Sequence, residues 1–192
     1  MGWSEVMGEL ETKLVGALRG TYRPLDNVPF FRVQYPPVEE REALRQFRLF
    51  AERLRYQNFT VVSTSLLEDL RRALIALLNC PVSDLEKRLI ELEREKNRID
   101  LQARLSRYLP EEITNSLVSM LRGMPRDGVA ILSRVACLYP FVRPSVILSN
   151  LEGRIPCSLV LPYPGTTLGA VLDTLPGDPR RGYYRGEAIP WR

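Results

Sequence analysis

The chain has 192 residues, 45% hydrophobic and 26% charged, with a net charge of +4. This is the composition of an ordinary globular protein, not a disordered one, and it is long enough for one well-buried α/β domain spanning 1–192. The charged runs are mixed in sign, which favours a solvated surface over a phosphate-tracking groove, and the absence of histidine removes the commonest general base and the Ser-His and Cys-His nucleophile pairs.

In chain order, residues 4–19 read as an amphipathic helix, with Val6, Leu10, Leu14 and Ala17/Leu18 on one stripe, Ser4 as N-cap and Gly20 past its end. After a loop at 23–27, residues 28–35 form a first strand, closed by Pro36-Pro37, which can continue neither a ladder nor a helix interior. A second helix follows from Val38 to about Tyr56, with Glu39, Glu40 and Glu42 at the positive end of its dipole and arginines gathering towards the other. Its buried stripe is Leu44, Phe47, Ala51 and Leu54, with Ala43 and Phe50 beside it. Residues 59–64 are a β-branched second strand. Ser65 with Glu68 has capping-box spacing and opens a leucine-rich helix ending near Asn79. Strand, helix, strand, helix is the rhythm of a parallel sheet with right-handed crossovers.

The next stretch breaks that rhythm. Ser83 with Glu86 repeats the capping-box spacing before a long charged helix to about Tyr108, its seam formed by Leu85, Leu89, Leu92, Ile99 and Ala103. Glu91/Arg94, Glu93/Lys96 and Glu95/Arg98 are i, i+3 pairs along it. The seam fits a helix laid across the domain's own surface, with a coiled-coil homodimer as the other reading. Pro110, followed by Glu111 and Glu112, opens another helix ending near Arg122-Gly123. Residues 81–125 are thus expected as a helical insertion in the α/β core. Val129 to Val135 and Ser158 to Tyr163 are apolar runs without alternation, as in strands buried on both faces. Between them lies a short helix around 143–151. The Pro-, Gly- and Arg-rich tail from 174 to 192 reads as irregular, with a short edge strand at Tyr183-Tyr184-Arg185. The expected fold is a single α/β domain with a mostly parallel sheet of four or five strands flanked by helices, Rossmann-like or P-loop-like.

No phosphate loop accompanies that fold. The chain lacks both Gly-x-x-x-x-Gly-Lys and Gly-x-Gly-x-x-Gly, and the first strand-to-helix turn, Tyr35-Pro36-Pro37, offers no proline N–H to a phosphate. Cys80, Cys137 and Cys157 are odd in number and lack zinc-ligand spacing. Cys137 and Cys157 are expected as buried thiols in a reducing cytoplasm. Neither a secretory signal nor an apolar run of membrane-spanning length is present. No metal, cofactor or catalytic residue is assigned. Arg143 stands out because a guanidinium at the carboxyl end of a central strand sits where open α/β sheets hold ligands, and its fork suits a carboxylate or phosphate. The other reading is a structural arginine tying its loop to a carbonyl or a glutamate. Tyr163-Pro164-Gly165 reads as a strand end with a tight turn, or as the wall of a pocket opposite Arg143.

Four separated motifs carry a family resemblance. They are Val28-Pro29-Phe30-Phe31 with Tyr35-Pro36-Pro37; Tyr139-Pro140-Phe141-Val142-Arg143 with Leu148-Ser149-Asn150-Leu151; Leu159-Val160-Leu161-Pro162-Tyr163-Pro164-Gly165; and Tyr183-Tyr184-Arg185. In this order, over about 28–189, they resemble the BrxB family of BREX bacteriophage-defence systems, and they mark Arg143, Asn150, Tyr163 and Arg185 as candidate binding or structural residues. The resemblance implies a cytoplasmic, non-catalytic adaptor working beside a PglZ-type phosphatase-like protein, a large ATPase and a DNA methyltransferase, with the PglZ-type protein as direct contact. It leaves as the alternative a degenerate nucleotide- or nucleic-acid-binding module using Arg143, Arg180, Arg181 and Arg185. Pro144-Ser145 and Thr166-Thr167 stand where the family pattern tends to have polar or histidine and acidic residues, a departure that favours binding over catalysis.

Overall fold

The computed structural model describes residues 2–95, 98–165 and 186–191, with the backbone alone at 98 and 99. In order, the elements are α1 (Trp3–Leu18), β1 (Phe30–Tyr35), α2 (Glu40–Tyr56), β2 (Val61–Ser65), α3 (Leu66–Leu78), α4 (Leu85–Glu95), α5 (Arg98–Leu121), β3 (Val129–Ser133), α6 (Pro144–Leu151), β4 (Ser158–Pro164) and β5 (Glu187–Ile189). Short 3₁₀ turns at Leu25–Asn27, Pro37–Glu39, Val82–Asp84 and Val135–Leu138 join them. The strand expected at 183–185 and most of the tail from 174 lie outside the described residues.

All strands are parallel, in the order β2-β3-β4-β1-β5. The chain leaves β1 for the far edge at β2, returns stepwise through β3 to β4, then passes over β1 to β5. Crossovers of one hand running in opposite directions must lie on opposite faces of the sheet. The packing agrees. Phe31, Val33 and Tyr35 of β1 join α1 and α2 in one core, whereas Leu159, Leu161 and Tyr163 of β4 join α3, α5 and α6 in the other. The α/β sandwich is therefore doubly wound, with the connection after β1 on the opposite face from those after β2 and β3.

Pro162 and Pro164 lie in β4, which is central, where a proline would ordinarily argue against a strand. Their tolerance follows from the ladder. Leu159 N–H donates to Pro29 O of the β1 side, and Ser158 N–H donates to Gly128 O of the β3 side. Strand alternation then turns the even-numbered nitrogens towards β3. The β3–β4 register runs only from Val129↔Ser158 to Ile131↔Val160. Pro162 and Pro164 come after it ends, so no ladder donor is lost. On the other side β1 stays paired to Tyr35↔Pro164, and Gly165 N–H donates to Tyr35 O at 2.8 Å. The strand therefore runs on through Pro164, one residue past its expected end at Tyr163.

Three local expectations are corrected. Gly2, not Ser4, occupies the N-cap of α1. Ser65 occupies the N-cap of α3 as expected but makes no side-chain cap bond, being still the last residue of β2, paired with Ser133. Ser83 lies inside a 3₁₀ turn and donates to Asp84 Oδ1. The helices of 81–125 also divide differently. α4 is described from Leu85 to Glu95, and α5 runs from Arg98 to Leu121 straight through Pro110, where a new helix was expected to begin. Of the expected seam, Leu85 and Leu92 are buried and Leu89 is half-buried in α4, while Ala103 is exposed on α5. Glu91 meets Arg88 at 3.2 Å rather than Arg94. Leu105, Leu109, Ile113, Leu117 and Leu121 recur every fourth residue and are all buried, so the stripe ignores the proline. Burying five such side chains outweighs the ~3 kcal/mol a helix-interior proline costs.

The sheet edge is fastened by Glu187 of β5. It accepts hydrogen bonds from Lys13 Nζ at 2.7 Å, from the Leu25 N–H at 3.3 Å and from the Tyr22 hydroxyl. Burial alone would raise its pKa, but these donors together hold it below the ordinary glutamate value. Gly186 at φ +88 leads into the strand, where an added Cβ would stand 2.5 Å from Phe30 O.

Two outcomes are expected. Pro110→Ala raises the unfolding free energy by up to roughly 3 kcal/mol in urea titration, as only a helix continuous through this position allows. Because the pKa of Glu187 is depressed, its contribution is present above about pH 4.5 and lost as pH falls through the folded value. Glu187→Gln should therefore lower Tm at pH 7 and flatten the loss of Tm between about pH 5 and 3.

Candidate functional site

Ligands of doubly wound sheets bind beyond the carboxyl ends of the strands, where the connections diverge. Here the carboxyl edge of the sheet lies beyond Tyr35 and Pro164 at β1 and β4. Its turn, Tyr35-Pro36-Pro37, continues directly into a 3₁₀ turn and α2. The Tyr35 hydroxyl donates to Glu40 at 2.6 Å, and burial with that contact pushes its pKa well above the usual tyrosine value. Glu40 and Glu42 lie in the first turn of α2, and Trp3 Nε1 donates to Glu39 at 3.1 Å. No three His, Cys, Asp or Glu side chains gather in metal-binding geometry among the described residues.

The residues marked by the sequence do not converge on one site. Arg143 is the half-buried N-cap of α6, and its carbonyl accepts from the Val146 N–H at 3.0 Å. It stands on the carboxyl side of the sheet, because α6 descends from there to the start of β4. Asn150 sits in the last turn of the same helix, about 10 Å away along its axis. Tyr163 is buried in the core, and its ring lies 5.5 Å from the Arg32 guanidinium carbon. Arg185 lies outside the described residues, as do Arg180 and Arg181.

Arg32 and Gln34, which sequence reasoning passed over, are the buried polar residues of β1. The Gln34 amide nitrogen is buried with no hydrogen-bond partner among the described residues. The strand's remaining positions are wholly apolar apart from the Tyr35 hydroxyl, so the signal was present as a polar alternation at 32 and 34. Its usual meaning is an exposed face. It is reversed here because β1 is central and covered on both sides.

A groove of about 580 Å³ opens on the α3/α5 side. Val82, Leu85, Leu89, Ile90, Leu101 and Leu105 form its walls together with Pro140-Phe141, and Arg71, Glu86 and Glu93 stand among them. Val82 is 60% exposed and Ile90 43%. Gln102 donates to Pro140 O at 3.5 Å, a long bond that joins α5 to the loop before α6.

The BrxB family model, described as BREX protein BrxB, matches residues 69–189. The chain belongs to the BrxB family. The chain matches no curated protein and no solved structure. A BrxB-family chain is a component of a BREX phage-defence system, and other BREX components are its partners. The matched span takes in the motifs from Tyr139 to Gly165 and from Tyr183 to Arg185, but starts well after the 28 expected from the sequence, leaving β1 and α2 outside it. Every residue lining the apolar groove falls within it. Among the described residues no helix is long and apolar enough to cross a membrane.

At the first position of the BrxB match, Asp69 joins α3 to α5. Ser116 Oγ donates to its Oδ1 at 3.1 Å, and Arg72 lies 3.3 Å from the same oxygen. Burial raises its pKa, only partly offset by Ser116, Arg72 and Thr64. The ionised form is thus the costly one in the fold, and stability falls as pH rises through the Asp69 titration. Asp69→Asn keeps the acceptor and removes the buried charge. It should be at least as stable as the parent at pH 7, whereas Asp69→Ala should lose about 1–3 kcal/mol in denaturant titration.

Proposed function

We propose that this BrxB-family chain is a non-catalytic adaptor that binds a PglZ-type protein within a BREX complex, using the apolar groove between α4, α5 and Pro140-Phe141. The observation that carries the reading is the groove's position. It lies wholly inside the family-matched span and exposes large aliphatic side chains to water. Contiguous exposed apolar surface rimmed by charge is the usual mark of a protein contact. An amphipathic helix laid into a groove, with aliphatic anchors at helical spacing, is the binding mode that matches its walls. The non-catalytic part of the reading rests on the chain itself. It has no histidine, and its first strand-to-helix turn is built of prolines. The three cysteines are free thiols, which supports a cytoplasmic setting.

Val82 and Ile90 are exposed enough to be replaced without disturbing the core. Val82→Asp with Ile90→Asp should leave Tm unchanged and weaken binding to the co-expressed PglZ-type partner by at least about thirtyfold, or ~2 kcal/mol. Size-exclusion co-elution and calorimetry read this directly. Separate elution of the parent chain at micromolar concentration contradicts the adaptor reading, and undiminished binding by the double variant contradicts the groove.

A further inference from the structure

A second surface lies across the sheet from the groove, on the α2 side. One cleft of about 660 Å³ is lined by Arg41, Arg45, Arg48 and Arg134 with Glu39 and Glu42. A second, of about 320 Å³, continues from it past Leu44 and Arg48 to Arg55 and the hydroxyl residues Ser63, Thr64, Ser65 and Ser133. Leu44 and Arg48 line both, so the two make one trench along α2 at the carboxyl ends of β2 and β3. Positions 41, 45, 48 and 55 recur at helical spacing and share one face of α2.

The acidic groups at this corner are already engaged. Glu42 is clamped by Arg45 and Gln46, which hold its pKa down to about 2, and Glu39 accepts from Trp3. Arg55 is paired with Glu52. Arg41, Arg48 and Arg134 are exposed and form no ion pair with a described residue. Arg134 also holds a left-handed backbone, φ 60, immediately after β3. A non-glycine residue in that region is uncommon, and such outliers cluster at ligand sites. The conformation sets an arginine at the carboxyl end of the sheet where a glycine would fit more easily.

Arg41 and Arg48 stand about 10 Å apart along the helix axis, too far to grip one compact anion together. Spaced cations along an open trench suit a ligand whose negative charges are themselves spaced. We propose that this trench binds the phosphodiester backbone of nucleic acid, independently of base sequence, through Arg41, Arg48 and Arg134. The surface is separate from the groove assigned to the protein partner, so the two contacts are compatible in one complex.

The test is fluorescence anisotropy of the full chain with a short labelled DNA duplex and the matching single strand, titrated over about 50 to 200 mM salt. Arg41→Ala/Arg48→Ala/Arg134→Gly should bind either strand form at least about tenfold more weakly, its salt slope reduced by about one per arginine removed. Glycine accepts the left-handed backbone at 134, so circular dichroism and Tm should be retained. The charge-matched control Arg104→Ala/Arg122→Ala/Arg126→Ala removes three exposed arginines elsewhere and should bind as the parent does. No binding by the parent at low salt overturns the proposal. So does equal loss in the control, undiminished binding in the trench variant, or affinity for ATP or inorganic phosphate without affinity for DNA.

Discussion

The pairing of β1 with β4 is the constraint on which the rest of the structure depends. Phe30–Tyr35 and Ser158–Pro164 are buried along their full lengths and stay in register over six residues. Two parallel neighbours so far apart in sequence need long crossovers, and buried faces on both sides need two helical layers. Those requirements place α1 and α2 on one side and α3, α5 and α6 on the other. The prolines of β4 fit because β3 has already left the ladder when they occur. The same prolines that mark the end of β3–β4 pairing, with Pro36-Pro37 beyond β1, make the carboxyl edge of the sheet poor in the N–H donors that cradle phosphate in nucleotide-binding relatives of this architecture.

The two flanks of the sheet differ in chemistry. On the α3/α5 side the surface is aliphatic, because Val82, Leu89, Ile90 and Leu101 stand along it unburied, beside Pro140-Phe141. On the α2 side it is cationic, because arginines repeat along one helix face and Arg134 meets them from the end of β3. The adaptor role proposed for the chain requires separable surfaces of this kind. It needs no reacting group, only geometry that holds two partners at a fixed spacing on a rigid sheet.

Much of the fold was legible in the sequence, since periodicity survives wherever one face of an element is buried. The stripes of α1 and α2, the β-branched run of β2 and the apolar run of β4 all lie within a few residues of their expected places. The misreadings share a cause. Pro110 and Pro164 were read by their local preference, as a helix start and a turn, but burial of the surrounding stripe or ladder overrode it. The capping-box spacings at Ser65 and Ser83 failed because neighbouring elements claimed the same residues. The sites were less legible still. Arg143 and Asn150, adjacent in motif, stand at opposite ends of α6. The groove joins 82–105 to 140–141, and the trench joins α2 to Arg134, both by tertiary folding alone. No local pattern announces either.

The central claim is that the aliphatic groove is where this BrxB-family chain meets its PglZ-type partner, and hydrogen–deuterium exchange on the isolated chain and on the complex tests it most directly. Slowed exchange on complex formation at 82–93, 101–105 and 139–142, with β2 and the arginine face of α2 unchanged, is the predicted result. Protection confined to other surfaces, with the groove exchanging as it does in the free chain, would contradict the account.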